Sequence, residues 1–68
     1  MFISGKEIII PYPSFQRFDQ RQIIEAPIPS GVTLKVGDTI DWNAAQFEGT
    51  CQIVEVCEGG RTVMIEKC

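Results

Sequence analysis

The residues best suited to chemistry are three cysteines (Cys51, Cys57 and Cys68) and nine carboxylates, with no histidine to accompany them. A serine or cysteine nucleophile needs a positioned base, so no Ser-His-Asp or Cys-His arrangement can form within the chain. The cysteines are spaced Cys-x5-Cys and Cys-x10-Cys, without a close Cys-x2-Cys pair. That spacing does not match a structural zinc site, and neither a metal nor another cofactor is expected. Asp38/Asp41 and Glu55/Glu66 are the carboxylate pairs that could do acid–base work. Asp38 follows the turn residue Gly37, and Asp41 alternates away from Trp42, so a solvated face explains them more simply. Gly59-Gly60 joins two apolar runs and no helix begins there, which excludes a phosphate-binding loop.

The residues suited to binding lie elsewhere. Tyr12, Phe15 and Phe18, with Arg17 and Arg21 between and after them, combine aromatics and arginine as binding hot spots do. These five are the candidate partner-binding residues. A second reading is that Phe15 and Phe18 plug the open end of a small core. Nucleic-acid binding calls for aromatics on a basic surface. Here only two arginines are present, Asp19 offsets them, and nucleic acid is not the expected partner.

Net charge is −3, and residues 35–68 carry the whole excess, since charges within residues 1–34 balance. An acidic half repels phosphate backbones and suits either solubility or a basic protein partner. Met1–Glu7 lacks the charged start and apolar run of a signal peptide. The longest apolar run, Ile8–Pro13, is too short to span a bilayer. A cytoplasmic protein with reduced thiols is therefore expected, with no membrane partner.

A chain of 68 residues makes a single small β domain, spanning residues 1–68 and close to the lower size limit for independent folding. Prolines and glycines divide it into short pieces, as expected where strands dominate. Glu7–Ile10 reads as a strand stopped by Pro11. Residues 11–22 form an irregular insertion in which Ser14 could cap one helical turn through Phe18. Gln22–Ala26 reads as a strand. Val32–Val36 alternates with Val32, Leu34 and Val36 on one face. Ile40 and Trp42 share a face, and Asn43–Gln46 reads as a loop. This predicts a mainly β fold, a small five- or six-stranded SH3-like barrel or roll with one irregular or short helical insertion.

Gly37-Asp38-Thr39-Ile40, Phe47-Glu48-Gly49 and Ile53-Val54 resemble the strand pattern of SH3-like barrels. Among these, Gln52-Ile53-Val54 is similar to a strand of the plasmid-borne type II dihydrofolate reductases, barrels that act as tetramers. The spacing after Gly49 differs, however. The strand that should carry the glutamine and tyrosine of that active site reads Val63-Met64-Ile65-Glu66. The resemblance implies a barrel and not the activity. Val36-Gly37-Asp38-Thr39 also resembles part of biotinyl and lipoyl carrier domains, but those present a lysine where this chain has Gly59-Gly60. The resulting expectation is a noncatalytic interaction module that binds a protein partner or itself. The alternatives are a nucleic-acid-binding barrel and an oligomer with a ligand or active site between subunits.

Val54–Ile65 is the clearest local element, a hairpin around Glu58-Gly59-Gly60-Arg61. With Gly59 and Gly60 as turn residues, Val56 faces Val63 and Val54 faces Ile65, placing those four in the core. The same register sets Cys51 opposite Cys68, close enough to form a disulfide in an oxidising compartment. Reduced thiols are the expected state. Titration of unfolded protein purified without reductant should find three thiols per chain, and a single thiol would show the bridge.

Overall fold

The computed structural model describes residues 1–68 as six strands and one helix. In chain order these are β1 (Phe2–Ile3), β2 (Lys6–Glu7), α1 (Tyr12–Asp19), β3 (Ile24–Pro27), β4 (Thr39–Ala44), β5 (Phe47–Cys57) and β6 (Thr62–Lys67). The strands form one antiparallel sheet in the order β2-β1-β4-β5-β6-β3. It curls into a half-barrel that α1 packs across, consistent with a small SH3-like barrel or roll. No helix is long and apolar enough to cross a membrane.

Alternation across the sheet separates two faces. Ile3, Trp42, Cys51, Ile53, Ile65, Val63, Ile24 and Ala26 are buried on the concave face, where they meet Phe18 from the helix. Leu34 and Ile8 complete the buried cluster from flanking segments. Glu25, Asp41, Glu48, Gln52 and Glu55 are exposed on the convex face.

The hairpin departs from expectation in two ways. Cys57, Val56 and Glu55 do pair with Thr62, Val63 and Met64 as predicted. The turn, though, centres on Glu58 and Gly59, at φ 51° and 66°, and Gly60 N–H donates to Cys57 C=O at 3.0 Å. Two consecutive positive φ angles are what a primed turn needs. More consequentially, a β-bulge between Ile53 and Glu55 leaves Val54 unpaired. A bulge inserts one residue, so every side chain beyond it changes face. Ile53 therefore opposes Ile65, and Cys51 opposes Lys67 rather than Cys68. Val54 is exposed, Ile53 takes the core position opposite Ile65 expected of Val54, Cys51 is buried two residues further on, and Val56 keeps its place opposite Val63, half-buried. Cys68 falls one residue past Cys51's partner, on the opposite side of the pleat, and all three thiols are unbridged.

Other segments also differ. Strand pairing in Glu7–Ile10 ends early: Ile8 still exchanges hydrogen bonds with Met1, and Ile9 projects into solvent. Val32–Val36 forms no strand. Leu34 is buried and Val36 exposed, and Gly31 at φ 80° and Gly37 at φ 92° bound the segment with left-handed backbone. The loop expected at Asn43–Gln46 shrinks to the turn residues Ala45 and Gln46, since Ala44 pairs with Phe47.

Cys51 gives the core a pH sensitivity. Burial, with smaller contributions from Cys68 and Asp41, pushes its thiol from 9.0 up to about 11. The folded state therefore keeps a proton that the unfolded chain releases above pH 9, and stability falls as pH rises from 9 to 11. Denaturant titrations across that range should show this decline, and Cys51→Ala should flatten it. An equal slope in the variant would assign the effect to other groups.

Candidate interaction surface

The predicted partner-binding residues all lie on or just beyond α1, and their exposures separate them. The helix spans eight residues rather than the single expected turn. Pro11 serves as its N-cap and Pro13 sits in the first turn, where a missing N–H costs nothing. Ser14 is inside the helix and makes no cap; its Oγ accepts from Arg17 Nη2 at 3.2 Å. At the other end Arg21 occupies the left-handed position after the C-cap, with φ 64°. Arg21 N–H donates to Phe18 C=O at 3.0 Å and Gln22 N–H to Arg17 C=O at 2.9 Å, the paired bonds of a Schellman motif. The backbone of Arg21 thus closes the helix, while its side chain is exposed.

Phe18 is fully buried and is corrected from surface to core. Its ring meets Trp42 edge-on, with centroids 5.1 Å apart and planes at 82°. Phe15 is half-buried and sits among Trp42, Phe18 and Phe47, at centroid distances of 6.0, 6.3 and 6.4 Å. Of the original set, Tyr12, Arg17 and Arg21 are the exposed members.

The structure adds residues that the sequence reading left out. Met1, Phe2, Ile10, Ala44, Ala45 and Phe47 join Tyr12 and Phe15 around an apolar groove of about 330 Å³. Phe47 begins β5 at the turn, and Phe2 arrives from β1 beside β4, so two distant hairpins and α1 converge there. A second hollow of about 240 Å³ continues past Tyr12, Phe15 and Phe47 towards Asp19. Phe2, Tyr12 and Phe47 all remain exposed, and they share this one end of the molecule. Their spacing in sequence hides this, because only pairing of β1 with β4 makes Phe2 a neighbour of the Ala44–Phe47 turn.

Charged side chains lie beside the groove and are not among its lining residues. Register places Glu7, Phe2, Asn43 and Glu48 in a single row across β2, β1, β4 and β5. Carboxylates therefore stand at both ends of the row that carries Phe2. Lys67 lies on the helix side, 2.8 Å from Asp19 Oδ1 and 5.9 Å from the centroid of Trp42. That contact ties α1 to β6. Near Cys57, desolvation and then the carboxylates of Glu55, Glu25 and Glu58 push the thiol up, with Thr62 opposing. Its environment makes it a poor nucleophile. No three Cys, Asp or Glu side chains converge where they could hold a metal ion.

No family model, curated protein or solved structure matches this chain.

The different burial of the two phenylalanines makes a test of scaffold against surface. Phe18→Ala should cost about 3–5 kcal/mol, enough to unfold so small a domain. Phe15→Ala, from a half-buried site, should cost less and leave a cooperative thermal transition. Equal losses in both variants, measured by calorimetry, would place Phe15 in the core as well.

Proposed function

We propose that this chain is a noncatalytic interaction module that binds a protein partner at its aromatic end. In this reading one bulky apolar side chain of the partner enters the groove, and a neighbouring lysine or arginine meets Glu7 or Glu48. The observation that carries it is the groove itself: eight hydrophobic residues line about 330 Å³ of open space. That volume falls at the small end of ligand sites, about 300–1,000 Å³, and suits a single anchoring side chain. Exposed aromatic residues with no polar cover commonly mark contact surfaces.

The surroundings support the basic character of the partner. Glu7 and Glu48 flank Phe2, and the chain's net charge is −3. The carboxylates on the convex face oppose a nucleic-acid partner on that side, because its phosphates would meet like charge. The groove places no acidic and basic side chains side by side, since all eight lining residues have hydrophobic side chains.

Selection of displayed random peptides on the immobilised protein tests this reading. Binders should be enriched in a large apolar residue close to lysine or arginine. Their binding should disappear with Phe47→Ser and weaken as salt rises from roughly 50 to 500 mM. Binders indifferent to both changes would refute the groove as the contact surface.

A further inference from the structure

We infer that two copies of this chain associate through their β2 edges, pairing antiparallel about a two-fold axis at Ile8. The inference stands on backbone geometry and does not depend on what fills the groove.

Hydrogen bonding shows which groups the edge leaves free. Ile8 N–H donates to Met1 C=O at 2.8 Å, and the Met1 amino group donates to Ile8 C=O at 3.3 Å. Bonded and non-bonded pairs alternate along an antiparallel ladder, so the next pair, Phe2 and Glu7, is non-bonded. The N–H and C=O of Glu7 consequently point away from the sheet. Ile9 makes no backbone hydrogen bond, and the alternation of an extended chain through Ile8 turns its N–H and C=O the same way as those of Glu7. Nothing pairs with β2 on that side. The Ile9 side chain is 87% exposed, more than any other large hydrophobic in the chain.

The opposite edge is protected and this one is not. In β3 the bond from Ile28 N–H to Arg61 C=O sets the alternation, so Glu25 and Pro27 face outward. Proline has no N–H to offer there, which blunts the edge against strand addition. On the β2 side the chain reaches Pro11 only after both Glu7 and Ile9 have presented free donors and acceptors.

Charge and proline together select a symmetric register. Pairing Glu7 with Glu7 of a second copy would set like charges directly opposite. Pairing Ile9 with Ile9 would bring Pro11 opposite Glu7, and a hydrogen bond would be lost. Pairing Glu7 with Ile9 avoids both and forms four backbone hydrogen bonds. The two Ile9 side chains then lie diagonally across the axis, within reach of each other. A second copy brings an identical exposed isoleucine and an identical short edge, which makes the contact self-complementary. The two Glu7 carboxylates also sit diagonally, so screening by salt should strengthen association. Groove binding of a basic peptide has the opposite salt dependence.

Sedimentation equilibrium of the full chain, with amide hydrogen exchange at low and high concentration, tests the interface. The mass should rise from 7.6 kDa towards twice that value, and the Glu7 and Ile9 amides should become protected as it does. Ile9→Glu, which sets two carboxylates directly opposite each other at both ends of the pairing, should raise the dimer dissociation constant by about tenfold or more while leaving the dilute melting temperature unchanged. Phe47→Ser should leave the mass curve unaltered. A chain that stays monomeric up to millimolar concentration would overturn the inference. So would a dimer whose Glu7 and Ile9 amides exchange as fast as in dilute solution, or one abolished by Phe47→Ser but not by Ile9→Glu. A monomer that still selects groove-binding peptides would defeat this inference and leave the proposed function standing.

Discussion

The contact between Trp42 and Phe18 holds the molecule together. The indole occupies the concave face above Gly49, where an added Cβ would sit 3.3 Å from its Nε1. Its N–H donates to Thr50 C=O at 3.2 Å, so the largest side chain of the core buries without losing a hydrogen bond. Phe18 meets it edge-on from above and Phe15 from the side. The helix lies against β6 and β3, where Asp19 meets Lys67, and these rings hold its aromatic face on the sheet. The helix position in turn decides where Tyr12 stands and where the groove opens.

A half-barrel this small cannot cover all its aromatics. Phe18 and Trp42 use the available depth, Phe15 is covered on one side, and Phe2, Tyr12 and Phe47 stay at the rim. The apolar rim is therefore continuous with the core through Phe15. Acidic side chains take the convex face, where alternation turns them away from the core. No charged side chain lines the aromatic end. The same shortage of chain leaves the sheet open at both ends. Pro27 guards one edge, while the other ends in free backbone groups and an exposed isoleucine.

Much of the fold was legible in the residues. Gly59 and its neighbours announced the last hairpin, and Ile40 with Trp42 showed the alternation of β4, whereas the first two strands end by Glu7, ahead of most of the Glu7–Ile10 strand expected to stop at Pro11. The bulge at Val54 was not legible. Val54, Glu55 and Val56 alternate as well as any strand, and no glycine marks the extra residue. The bulge buries Ile53 in place of Val54 and turns Cys51 inward, which follows from pairing with β6 and β4 rather than from local preference. Val32–Val36 failed for a related reason: its alternation is real, but no neighbouring strand lies beside it to pair with.

The site followed the same division. The sequence alone determined that Tyr12, Phe15 and Phe18 would gather on a short insertion, since they are close along the chain and spaced for a helical face. It also determined that histidine-dependent chemistry is absent. Only the tertiary structure decided which of those rings was scaffold and which was surface, and it drew Phe2 and Phe47 to Tyr12 from distant hairpins. Burial depends on what stands opposite a residue, and the opposing residue is set by register across strands. A single inserted residue at Val54 was enough to change that register, and with it the partner of Cys51.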